Sequence, residues 1–161
     1  MDTPFYWPIR AARRNINMAQ FFINHAKNTE NLVATSHYIA AAAAGLWSAI
    51  DIYIRKVDPE EKKPSAEYPL LSGHASKWFK ENERLVNYIR HSQTHYDWRV
   101  EVASLTRPPD VSKPSTVLVI VRGKRVEQIP ITEVISRLEA VCDRVNDLIS
   151  KQTGTTSFDF R

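Results

Sequence analysis

Apolar residues fall on helical spacing in four separate stretches of the chain, and on alternating spacing in one. Ile9, Ala12, Ile16, Ala19, Ile23 and Ala26 recur at steps of three and four, which predicts a first helix over about Thr3 to Asn28. Phe22 widens that face, while Arg10, Arg13 and Arg14 are assigned to the opposite, solvated side. A second helix is predicted from Asn31 to about Lys56, where the Ala40–Ala44 run has high helix propensity and small side chains that let a neighbour approach. Leu46, Trp47, Ile50, Tyr53 and Ile54 add bulk further along. Asp51 lies among these apolar residues. A buried carboxylate costs several kcal/mol unless paired, so Asp51 is expected either at a rim or beside a cation such as Arg90.

Residues 57–73 hold three prolines and a mixed charge run and read as a loop. A third helix begins near His74, with Ser72 as a cap and Trp78, Phe79, Leu85, Val86 and Ile89 as its apolar stripe. The period then changes. Trp98, Val100 and Val102 alternate with Arg99 and Glu101, as in a strand. Thr116–Arg122 is a run rich in β-branched residues, Gly123-Lys124 is a tight-turn pair, and Arg125–Pro130 returns as a second strand. Thr132 is read as the cap of a last helix whose Val134, Ile135, Leu138, Val141, Val145, Leu148 and Ile149 keep helical spacing to about Lys151. The expected architecture is mainly α: a four-helix bundle with a small antiparallel β-hairpin inserted before the last helix, three-stranded if Trp98–Leu105 joins it. The domain spans residues 1–151, the insert covers about 98–130, and residues 152–161 form a flexible tail.

Composition changes this picture little. The chain has 161 residues, 43% hydrophobic and 25% charged, which fits one domain with its own core. Its single cysteine, Cys142, lies on the apolar pattern of the last helix and reads as a buried, inert thiol in a reducing compartment. The N-terminal sequence lacks the basic and apolar regions of a signal peptide, so a cytoplasmic location is expected. Tyr38–Ile54 is alanine-rich and carries Asp51. It falls short of the roughly 20 strongly apolar residues a spanning helix needs, so no membrane partner is expected. A net charge of +4 permits a nucleic-acid partner without requiring one.

Arg84–Trp98 is the stretch densest in groups that move protons or hold phosphate: Asn87, Arg90, His91, His95 and Tyr96 lie within ten residues. Three readings compete. In the first, it is a polar helix end, where cations meet the dipole and Ser92 and Thr94 suit a terminus. In the second, His91 and His95 hold a metal. Two histidines are too few for zinc and position 92 is Ser, so no metal and no cofactor is expected. In the third, the stretch cleaves a phosphodiester. One group takes the 2′-hydroxyl proton, another protonates the leaving oxygen, and a cation steadies the phosphate. Histidine suits either proton role, and arginine suits the clamp. Residues five apart differ by about 140° around a straight helix. Arg90 and His95 therefore work together only if the helix ends between them or if a second subunit completes each site.

The string Arg90-His91-Ser92-Gln93-Thr94-His95 resembles the R-φ-x-x-x-H motif of the HEPN superfamily, in which φ is Asn, Asp or His. HEPN domains are small helical bundles. Many are metal-independent endoribonucleases that dimerise so that two motifs line one cleft, and they recur in toxin–antitoxin, abortive-infection and CRISPR-associated systems. The resemblance implies an RNA-cleaving homodimer in which Arg90 and His95 are the catalytic pair and His91 supports them. Asn87, one turn earlier, is placed to orient His91. An antitoxin or regulatory partner and a role in phage defence are implied with it. The alternative is a non-catalytic helical module that binds a nucleotide or a protein. Arg122, Lys124 and Arg125 flank the hairpin tip and are candidate phosphate contacts, although a solvated turn is the plainer reading. Tyr6, Trp7 and Trp98 are candidate stacking rings, although core packing is their plainer role.

Overall fold

The computed structural model describes residues 6–52, 73–93, 98–105 and 115–153. Within them the chain is mainly helical, with a small three-stranded antiparallel sheet. Helix α1 spans Tyr6–Lys27, and its predicted stripe from Ile9 to Ala26 is buried throughout. Asn31 ends the short turn that follows. Its side chain caps α2 (Leu32–Ile52) by accepting from the Ala34 amide at 3.0 Å, which satisfies one of the free amides of the first turn.

The two helices meet through small residues: Ala12 and Ala19 on α1, and Ala42, Gly45 and Ala49 on α2, all buried. Gly45 sets the closeness of this seam. A Cβ at that position would sit 2.9 Å from the Asn15 carbonyl oxygen and 3.4 Å from the Ala19 Cβ. The low side-chain volume predicted to permit a close helix pair is used in that way.

Arg13 departs from the expected pattern. It is 4% exposed, not solvated like Arg14. The reason is phase: position 13 is four residues after Ile9 and three before Ile16, so it shares their face at the margin of the stripe. Its Nη1 donates to Asn146 Oδ1 at 2.8 Å and its Nη2 to Ser150 Oγ at 3.1 Å, tying α1 to the last helix. Burial holds the Arg13 guanidinium below its ordinary pKa.

Helix α3 spans Gly73–His91 and buries Leu85, Val86 and Ile89. Strands β1 (Trp98–Leu105), β2 (Ser115–Arg122) and β3 (Arg125–Pro130) pair antiparallel in the order β1-β2-β3, so the hairpin gains Trp98–Leu105 as its third strand. Gly123 takes φ 59° in the two-residue β2–β3 turn, a region open to glycine without Cβ strain. Leu118 and Ile120 point from β2 into the helical core, and their register partners Val102, Val100 and Ile129 pack beside them. The sheet thus lies against α2, α3 and α4.

Helix α4 (Ile131–Thr153) starts directly after Pro130, so Thr132 sits inside its first turn and is not the cap. Val134, Leu138, Val141, Cys142, Val145 and Ile149 complete the core. No helix among the described residues is long and apolar enough to cross a membrane.

Candidate functional site

The end of α3 is built by competition between side chains and the helix ladder. Ser92 Oγ donates to the Ile89 carbonyl at 2.6 Å, and the Gln93 amide turns back to the Arg90 carbonyl at 3.1 Å. The helix therefore closes at His91, one residue into the R-φ-x-x-x-H string. This meets the phase condition set by the sequence, because the helix does not run unbroken from Arg90 to position 95. Gln93 Nε2 then donates to the Ala40 carbonyl at 2.8 Å, fastening the exit of α3 to the middle of α2.

Arg90 is half-buried beneath this turn. Its guanidinium carbon stands 4.9 Å from the centroid of the Trp47 ring on α2, a cation–π arrangement. Its Nη2 lies 3.4 Å from His91 Nε2. Arginine only donates, so this contact is a hydrogen bond when His91 Nε2 carries no proton. Arg90 Nε is buried and has no hydrogen-bond partner among the described residues, and the same is true of Asn87 Oδ1. Asn87 is one turn before Arg90 on the same side of α3. Its Oδ1 accepts no hydrogen bond among the described residues. Two orphaned polar atoms of opposite type, a donor and an acceptor, thus lie within one helical turn. Buried groups of this kind usually have partners.

Of the residues singled out in the sequence, Asn87, Arg90 and His91 come together here. His95 lies outside the described residues, as do the side chains of Tyr6, Trp7, Trp98 and Arg122. Asp51, the penultimate residue of α2, is partly exposed, in keeping with a place at a rim. Lys124 and Arg125 are exposed at the hairpin tip. Among the described residues no group of three or more His, Cys, Asp or Glu side chains is placed to hold a metal ion. Cys142 is 1% exposed, and burial, with Asp143 and Glu139 nearby, pushes its thiol up to about 12.

Sequence reading missed a second polar site. A cleft of about 450 Å³ opens between α3, β3 and the start of α4, and Arg125 lines it with Arg84, Tyr88 and Arg137. Glu81, Glu127 and Glu133 supply the opposite charge. Strand alternation was the available signal: Arg125, Glu127 and Ile129 share one face of β3, and Ile129 packs on the core. Arg137 is fixed in place, its Nε donating to Asn82 Oδ1 at 3.0 Å and its Nη2 to the Glu81 carbonyl at 2.9 Å. A larger cavity of about 650 Å³ lies by the α1–α2 turn, where Lys27 pairs with Glu139 at 2.5 Å, and none of the predicted catalytic or RNA-binding residues lines it.

Compared with known proteins, the chain matches no family model, no curated protein and no solved structure.

Proposed function

We propose that this chain is a HEPN-type, metal-independent endoribonuclease built as a four-helix bundle with an inserted hairpin. It works as a homodimer, with Arg90 and His95 of two copies lining one cleft. In this reading the 2′-oxygen of RNA attacks the adjacent phosphorus and the bond to the 5′-oxygen breaks. His95 takes the 2′-hydroxyl proton, and a proton delivered by histidine reaches the leaving oxygen. Arg90 holds the phosphate oxygens, whose charge peaks in the transition state. His91 sets the guanidinium from its second position. A toxin or phage-defence role, with an antitoxin or regulatory partner, belongs to the same reading.

The observation that carries it is the end of α3. The helix stops at His91, with Arg90 touching His91 and Arg90 Nε left without a partner among the described residues. The Nε of Arg13 and of Arg144 likewise makes no hydrogen bond among the described residues, so what favours an anionic ligand at Arg90 is its place at a helix end beside a histidine.

The test is cleavage of single-stranded RNA in the presence of a metal chelator. Arg90→Ala and His95→Ala are each expected to lose at least about 100-fold in rate, the usual worth of one such group, while their circular dichroism is unchanged. Cleavage that persists in both variants, or that needs added metal, rules the proposal out. Bound nucleotide or protein without any RNA loss would favour the non-catalytic module.

A further inference from the structure

We infer that the cleft between α3, β3 and α4 is a guanine-nucleotide subsite for the RNA residue flanking the cut bond. This rests on the nuclease reading above and goes beyond it by assigning a base preference.

Arg84, Arg125, Glu127 and Glu133 line one cleft, yet none of them makes an ion pair within 4.0 Å among the described residues. Opposite charges that face a common space and stay apart are available to a ligand carrying both donors and acceptors. An RNA backbone alone supplies only negative charge, and the glutamates would repel it. A nucleotide supplies both kinds of group. Its phosphate suits Arg84 and Arg125.

The base follows from the carboxylates. An ionised glutamate only accepts hydrogen bonds. Among the four RNA bases, guanine alone presents two adjacent donors, N1–H and the 2-amino group, on its pairing edge, and one carboxylate accepts both. Glu127 sits two residues from Arg125 on the same face of β3, and Glu133 projects from the first turn of α4. Arg137, held by Asn82 and the Glu81 carbonyl, forms a fixed wall.

Size and position select a nucleotide over a peptide segment. A cavity of about 450 Å³ is at the scale of a small-molecule site. It is also aligned with the motif. Arg84 and His91 are seven residues apart, so they share a face of α3 about 10 Å apart along its axis, with Tyr88 between them. His91 touches Arg90. Arg90 itself faces Trp47 on α2, about 160° round the helix from Tyr88, so a strand with its scissile phosphate at Arg90 reaches Tyr88 and Arg84 by passing round the end of α3 at His91.

The test measures binding separately from cutting. His95→Ala protein is titrated at fixed salt with fluorescent hexauridylate and with the same strand carrying one guanosine. The guanosine strand is expected to bind about tenfold more tightly, within the range of a bidentate base contact. Replacing both Glu127 and Glu133 with Gln should erase that difference, and Arg84→Ala should weaken both strands alike. Equal affinity for the two strands overturns the inference. So does a preference that survives the double variant, or displacement of the RNA by a mixed Arg/Glu peptide at lower concentration than by GMP. The two readings fail separately. Wild-type cleavage without guanosine preference removes only the subsite, and guanosine-dependent binding without cleavage removes only the nuclease.

Discussion

Two arginines near the core, Arg13 and Arg90, show how differently the same side chain is used in two regions of one molecule. Arg13 joins α1 to α4, and both of its terminal nitrogens donate to side chains on one face of the partner helix. Arg90 ends α3 over an indole ring, its Nη2 at the edge of hydrogen-bond distance from His91 and its Nε without a partner among the described residues. The first arrangement is closed at its terminal donors, which are matched to acceptors, while its Nε, like that of Arg90, makes no hydrogen bond among the described residues. The second is open and leaves capacity for something the chain itself does not supply. Polar groups that are satisfied internally hold a fold together, whereas unsatisfied ones cost stability and are kept where a ligand completes them.

The comparison can be strained at its structural end first. Gly45→Val pushes a branched side chain against the Asn15 carbonyl, where a Cβ alone would stand at 2.9 Å. The α1–α2 pair must part, and a loss of about 3 kcal/mol is expected in urea unfolding with the slope unchanged. A loss under about 1 kcal/mol would show that the seam is looser than its geometry.

The paired arginine variants sharpen the contrast directly. Arg13→Ala leaves Asn146 Oδ1 without this donor, while Ser150 keeps its bond to the Asn146 carbonyl, and should cost about 2 kcal/mol. Both variants remove a buried Nε that makes no hydrogen bond among the described residues, so the difference lies at the terminal nitrogens: Arg90→Ala loses the ring contact and one long contact to His91, and its cost should stay below about 1 kcal/mol. Equal losses in the two variants would erase the distinction between a closed and an open arginine.

The last effect is absent at neutral pH and is a pH dependence in the closed region. The Cys142 thiol is raised from 9.0 to about 12 in the folded chain. The unfolded chain therefore releases this proton first. The stability tied to the neutral thiol is whole below pH 9 and falls as pH rises from about 9 to about 12. Cys142→Ala should flatten this part of the alkaline stability profile, and native Cys142 should resist alkylation at neutral pH. A profile identical in the two proteins would remove Cys142 as the cause.

Periodicity made the fold legible. The stripe from Ile9 to Ala26, the run from Thr116 to Arg122 and the Gly123-Lys124 turn all read directly as the elements they form. The errors have physical causes. By residue type Arg13 reads as a solvated cation, but its phase puts it with Ile9 and Ile16. Strand alternation puts Arg125 and Glu127 on one face of β3, but Arg84 stands more than 40 positions earlier, and only the fold brings it to the same cleft. At the motif, the composition of Ser92 and Thr94 correctly signalled a helix end before position 95. The support of Arg90 by Trp47 was not legible, since nothing in either segment encodes their meeting.

The composition of β3 has one more consequence, for solubility. It is an outer strand of the sheet, with Val126 60% exposed. An outer strand offers free backbone amides and carbonyls to any passing strand, and Arg125, Glu127 and Pro130 are the residue types that discourage such pairing. The charges that line the cleft therefore also guard the strand against self-association. Replacing both with apolar residues would turn β3 into a template on which copies of the chain stack, whereas Gln at position 127 keeps a polar guard in place.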